Sequence, residues 1–347
     1  MNKKLLAVAV GAALATSPML VSAATTVYGK INIGIASIDN GNTADADTFG
    51  VTDDASRFGI KGDEDVGGGL KVIYQYETTV AVDDATGTGS VFEGGGRDTF
   101  AGLQGSWGSV RLGRYNVTYK AIEFPVEIFG DTIGDFSSGL GFGGGSETRQ
   151  SNSIGYTSPT FAGFQAGVET SRGETGTATE SNPLSVGIKW TAGPLYVAAG
   201  IWDPDNTGTT GVDDAKKFVA SYAIGPFSIF GLYETRSNKG TLSATNAEVD
   251  TTYLGVSYKF GNNTVAATVA EYDSTAADGD STQIALGWIY ALSKNSALKF
   301  IWTDIDNDPA GTNAGRVVGA TTSSVALAAP AAGSDPSGFQ IQLSTAF

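Results

Sequence analysis

The 347 residues include no histidine and no cysteine. Ser-His-Asp triads, thiolate nucleophiles, disulfides and zinc sites built on imidazole or thiolate are therefore closed to this chain. What remains are carboxylates and fixed cations. Adjacent acids such as Asp83 and Asp84 could be taken for a glycosidase pair, but neighbouring residues in an acidic, turn-rich stretch read as a solvated loop. The cations carry more information, because they stand at regular positions. Val27, Ile31, Ile33 and Ile35 alternate with Tyr28, Lys30, Asn32 and Gly34, and Phe58 and Ile60 alternate with Arg57, Gly59 and Lys61. Alternation puts the apolar side chains on one face of a strand and the cations on the other. With Phe100 on the apolar face, Arg97 falls on the polar one. Cations ordered in this way act by electrostatics rather than by making bonds.

The elements that must position them are strands. Leu184, Val186, Ile188 and Trp190 alternate around Lys189; Leu254, Val256, Tyr258 and Phe260 around Lys259; Leu298, Phe300 and Trp302 around Lys299. The last ten residues repeat the pattern, with Phe339, Ile341, Leu343 and Phe347 opposite Gln340, Gln342 and Ser344. No stretch of 18 consecutive apolar residues exists, which excludes a helical membrane protein. Short turns at Gly67-Gly68-Gly69, Gly105 to Gly108, Thr157 to Pro159, Gly193-Pro194, Gly225-Pro226, Gly261 to Asn263 and Ser293 to Ser296 alternate with long polar stretches. The long stretches lie at about 39–54, 81–96, 116–150, 171–183, 203–215, 236–250, 273–281 and 306–336, so eight loops and seven turns predict sixteen strands. This asymmetry, with aromatics gathered at strand ends (Phe161, Phe164, Trp190, Phe227, Tyr258, Phe260, Tyr290), predicts an all-β fold, a transmembrane antiparallel β-barrel. A soluble β-sandwich or β-solenoid would show the same alternation with its apolar face turned inward.

The first residues support export. Lys3 and Lys4, the apolar run from Leu5 to Ala15 and the small residues Val21-Ser22-Ala23-Ala24 have the form of a secretory signal peptide cleaved after Ala23 or Ala24. The expected organisation is a leader over 1–23 and a single barrel domain over 24–347. Removing Lys3 and Lys4 takes the net charge from −15 to −17. Such a balance repels phosphates and excludes nucleic acid as a partner.

Several stretches together resemble the general-diffusion porins of Gram-negative bacteria: Thr26 to Lys30, Ser56 to Asp65, Arg97 to Leu103, Gly113-Arg114, Arg149 to Pro159 and the terminal Phe347. The resemblance spans essentially the whole chain after the leader. It implies a homotrimer of sixteen-stranded barrels in the outer membrane, in contact with lipid and lipopolysaccharide. It also implies a third loop folded into the lumen, its acids facing a basic ladder on the wall. The matching positions are Lys30, Arg57, Arg97 and Arg149 on the wall and Glu123, Glu127 and Asp131 on the loop, with Phe347 closing the barrel.

The expected function is passive diffusion of small hydrophilic solutes and ions, with a weak cation preference and no enzyme activity. A substrate-selective channel, for an oligosaccharide or an organic acid, shares the barrel and stays open as an alternative. So does a surface interaction or adhesin barrel. No cofactor or metal is expected beyond Ca²⁺ that clustered outer aspartates, among them Asp45, Asp47, Asp53 and Asp54, could hold.

Overall fold

The computed structural model describes residues 24–41, 48–83, 92–138, 146–173, 182–204, 213–238, 248–275, 278–311 and 332–347. The expected leader lies outside these residues, as do Asp45, Asp47 and Asp84. Sixteen strands form one antiparallel ring: β1 Ala24–Asp39, β2 Thr48–Asp53 continuing as Arg57–Gly67, β3 Leu70–Val80, β4 Phe92–Gly96 continuing as Thr99–Gly105, β5 Gly108–Asn116, β6 Arg149–Thr157, β7 Phe164–Ser171 and β8 Leu184–Ala192. The second half comprises β9 Leu195–Asp203, β10 Asp213–Ile224, β11 Phe227–Asn238, β12 Val249–Phe260, β13 Asn263–Ser274, β14 Ser281–Ala291, β15 Ser296–Asn307 and β16 Ser337–Ala346. Each half of β2 pairs with β1, and each half of β4 pairs with β3, which is why each pair of segments counts as one strand. Thr48–Asp53 and Phe92–Gly96 lie in stretches expected to be loop; there the strands run on past the apolar alternation.

The sheet has its polarity reversed relative to a soluble sandwich. Val27, Ile60, Leu112, Ile188, Phe218, Leu254 and Ile284 are exposed, whereas Asn32, Gln283, Thr303, Gln340 and Gln342 are buried. An apolar exterior around a polar interior suits hydrocarbon outside and water within. No described helix is long and apolar enough to cross a membrane; the strands do so. Outward aromatics near the short turns pair up, Phe164 stacked on Trp190 at 5.6 Å and Phe227 tilted against Tyr258 at 4.6 Å between ring centroids, where a girdle at the lipid headgroups belongs.

One orientation differs from the expectation. Phe100 lies under the Arg111 guanidinium, 5.3 Å from its ring centroid, and lines an interior cavity, so it faces inward. The cause is the interruption of β4 at Arg97 and Asp98, beside a register shift between Thr78 and Thr79 of β3. Parity is reset across the break, and Arg97 still points inward.

The ring closes between the strands farthest apart in sequence. β1 and β16 pair from Lys30 opposite Ala346 to Asp39 opposite Ser337, and Gly29 and Phe347 exchange backbone hydrogen bonds of 3.0 and 3.1 Å. A Cβ on Gly29 would lie 2.3 Å from Phe347 Cζ and 2.9 Å from the Arg57 carbonyl oxygen, so the terminal ring needs a residue without a side chain beneath it. Replacing Gly29 by Ala should destabilise the seam by about 1–3 kcal/mol through overpacking, and deleting Phe347 should lower insertion yield. Both are read as the folded fraction of barrels on gels run without heating. Normal yield from the Phe347 deletion would remove this residue from barrel closure.

Candidate functional site

The segment after β5 carries more apolar residues than a solvated loop would. It begins with the short helix α1, Thr118–Ala121, and continues through single 3-10 turns at Phe124–Val126 and Phe136–Ser138. Pro125, with its φ preset, sits in the first turn. Ile122, Val126, Phe129, Ile133 and Phe136 are buried. They pack on inward side chains of the ring, including Ala198, Val219 and Tyr253 on one side and Ala266, Ala285 and Ile301 on the other.

Inward tyrosines fix the backbone of this segment. Tyr196, Tyr253 and Tyr272 donate their hydroxyl hydrogens to the carbonyls of Ile122, Val126 and Phe136 at 2.7, 3.1 and 2.8 Å. Gln342 donates to the Asp131 carbonyl at 2.8 Å, and Gln340 accepts from the Ile133 amide at 3.2 Å. Tyr28, on the polar face of β1, instead donates to Glu77 at 2.8 Å.

The predicted residues divide into two places. Lys30, Arg57, Arg97, Arg149, Glu127 and Asp131 line one cavity of about 470 Å³. Asp131 takes both Lys30 Nζ at 3.0 Å and Arg57 Nη1 at 3.1 Å. Arg97 pairs with Glu77 at 2.6 Å and Arg149 with Asp98 at 2.5 Å, both carboxylates of the wall itself. The acids facing the basic ladder are thus shared between segment and wall. Glu77 follows from parity, since Tyr76 is exposed on the lipid face; alternation would send Asp98, next to inward Arg97, outward, and only the break in β4 turns it to Arg149.

Glu123 is in the other place, and its expected position opposite the basic ladder is corrected. It is wholly buried between Lys120 of its own segment and Lys217 of β10. Lys217 also meets Glu147 at 2.6 Å and Glu234 at 3.3 Å, and Tyr119 donates to Glu234 at 2.6 Å. The sequence signal for Lys217 was present: Phe218 is on the lipid face, so its neighbour must point inward.

Charge is distributed accordingly. Burial opposes ionisation of Glu123, but Lys120 and Lys217 overcome it and hold the carboxyl down to about 2. Glu127 responds the other way: burial, reinforced by Glu123 and Asp135, pushes its carboxyl well above the usual range despite Lys120 at 3.1 Å. The remaining sequence candidates serve the fold. Asp53 accepts from the amides of Ser56 and Val82, and Asp54 accepts from Gln340 and Gln342. Among the described residues no group of three or more acids is arranged to hold a metal ion.

A family model described as Gram-negative porin matches residues 5–310. The chain belongs to this family. The porin is 29% identical to outer membrane porin protein 32 of Delftia acidovorans over the full length of both chains. It is 28% identical to the major outer membrane protein P.IB of Neisseria lactamica, over 86% of this chain and 91% of that one. Among solved structures, the anion-selective porin from Comamonas acidovorans superposes with a TM-score of 0.81 at 26% identity, covering 94% of this chain and 100% of the other. OmpT of Vibrio cholerae in its trimer form shares the fold at 16% identity, with a TM-score of 0.70 over 94% and 99% of the two chains. The porin is accordingly a multi-pass outer-membrane barrel.

The buried cluster yields a stability prediction. Replacing Lys217 by Met leaves Glu123, Glu147 and Glu234 short of a cation and should cost about 3–5 kcal/mol, whereas loss of a lysine from the solvated rim, as in Lys71→Met, should leave the unfolding midpoint nearly unchanged. Urea unfolding of the two variants in detergent micelles measures the difference.

Proposed function

We propose that this porin is a homotrimer in which each barrel carries its own water-filled channel, passing small hydrophilic solutes and ions passively and catalysing no reaction. The leader over 1–23 is removed on export, and the segment 117–138 narrows the channel. The trimer form of the Vibrio cholerae protein with the same fold supports the assembly. Contacts of the segment with inward side chains from β7 round to β2 support the narrowing, since only a crossing of the interior reaches all of them.

The observation that carries the reading is the pairing of charge along the 470 Å³ cavity. Lys30, Arg57, Arg97 and Arg149 each have a carboxylate within 3.1 Å. Opposed charges across a narrow gap orient water and dipolar solutes and disfavour apolar ones, while adding little net charge. Selectivity then follows the acidic balance of the chain, −17 once Lys3 and Lys4 leave with the leader, which favours cations weakly at the mouth. Screening over about 8 Å at physiological salt keeps that preference small and lets it grow as salt is lowered. A second reading, anion preference, is favoured by the likeness to a porin described as anion-selective.

Reversal potentials across bilayers under a salt gradient separate the two. A unit charge about 6 Å from the ion path is worth about 0.7 kcal/mol in water, roughly threefold in local ion concentration. Arg57→Ser and Arg97→Ser should each raise cation preference by about that factor, and Glu127→Gln with Asp131→Asn should lower it. The wild-type protein should also become more cation-preferring as pH rises through the raised pKa of Glu127, because the carboxyl gains its charge there. Potentials that ignore both arginines would remove them from the ion path, and a wild-type anion preference at every salt would establish the second reading.

A further inference from the structure

A second cavity, of about 370 Å³, lies under the opposite face of α1. Its wall residues Ser109, Thr157, Gln165 and Lys189 sit within a few positions of the short turns, so it belongs to the turn end of the barrel. It differs in charge from the throat. The throat is lined by five cations and six carboxylates; Arg111 and Lys189 are the charged residues lining this cavity, and no carboxylate lines it.

Both cations are available to a ligand. The Arg111 guanidinium lies 4.3 Å from the Tyr115 ring centroid and 5.3 Å from that of Phe100, so its plane is set by stacking. Glu169, 3.9 Å from it, already accepts from the Thr118 amide at 3.0 Å and the Thr118 hydroxyl at 2.5 Å. Lys189 is partly exposed and makes no ion pair or hydrogen bond with a described residue. Ile73 and Ile122 also line the cavity, together with Ser109 and Thr157. The lining thus combines two cations and two hydroxyl-bearing residues with apolar side chains and the Phe100 ring. Pockets of this size that mix apolar lining with a few convergent polar groups are characteristic of small-molecule sites.

We infer that this cavity is a binding subsite for small organic monocarboxylates bearing one aromatic ring or a short apolar body. The carboxylate is held by Arg111 and Lys189, and the apolar portion packs on the apolar lining, Ile73 and Ile122 among it. The inference rests on the water-filled interior proposed above and adds a saturable step on the turn side of the throat. Sugars, without charge or an apolar body, pass without stopping there.

Benzoate is a suitable probe, applied to one chamber at a time across bilayers holding the full-length porin after leader removal. From the short-turn side it should produce concentration-saturating interruptions of the KCl current; benzamide, neutral and of the same shape, should not, and inorganic phosphate should act only weakly. Lys189→Gln and Arg111→Gln should each raise the apparent Kd for benzoate roughly tenfold, the loss expected for one charge-assisted hydrogen bond. Lys259→Gln, which removes a charge at the same end of the barrel on β12, should leave it unchanged. Lys189→Gln touches no partner and decides the matter alone if the Arg111 variant fails to assemble. Interruptions that survive Lys189→Gln, or that phosphate reproduces at equal concentration, overturn the subsite. Absence of KCl conductance in the wild-type protein would instead overturn the channel, so the two failures are told apart.

Discussion

Hydrocarbon offers no partner for a backbone amide or carbonyl, and the rest of this structure depends on that constraint. Each unsatisfied group would cost several kcal/mol, so a strand-built membrane protein must pair every edge. Closure between β1 and β16 meets the requirement. Once the ring is closed, alternation does the sorting: one face of every strand meets lipid and the other meets whatever fills the interior. Asn32, Gln283, Gln340 and Gln342 are buried on that interior face, where Gln340 bonds to Asp54 and Gln342 to the Asp131 carbonyl.

The interior is then a place where charge can be held at close range. Two arrangements use it differently. Around Lys217, carboxylates from three parts of the chain converge with Tyr119 out of reach of solvent, and the result is an anchor for the segment. Around Asp131, the same kinds of groups remain partly exposed, at 23–25% for Lys30, Arg57 and Asp131, and bound an open space. Burial, rather than residue type, separates the structural ion pairs from those a solute can meet.

Much of this was legible beforehand. Strand number, the two kinds of connection and the inward placement of Lys30 and Arg57 all follow from period-two alternation, which depends only on local geometry. The failures have a common origin in events that alternation cannot register. The break at Arg97 and Asp98 shifts parity by an amount no pattern reveals, so alternation puts Phe100 on the wrong face and Arg97 on the right one. The family resemblance groups Glu123 with Glu127 and Asp131, yet a turn at Phe124–Val126 sends Glu123 towards β10 and Asp131 towards β1. The bonds of Tyr196 and Tyr253 to loop carbonyls depend on a fold that brings together residues 74 and 127 positions apart, which no local pattern shows.

The seam between β1 and β16 also bears on synthesis. Gly29 and Phe347 bond to each other across nearly the whole sequence, so a chain released early from the ribosome carries β1 without its partner. Such a fragment retains a row of free backbone donors and acceptors however well its other strands have paired. That open edge is a chemical mark of incompleteness, available to any chaperone or protease that binds extended backbone. Arrival of the last residue erases it, so that finished and unfinished products are distinguished by the same hydrogen bonds that make the finished one stable in lipid.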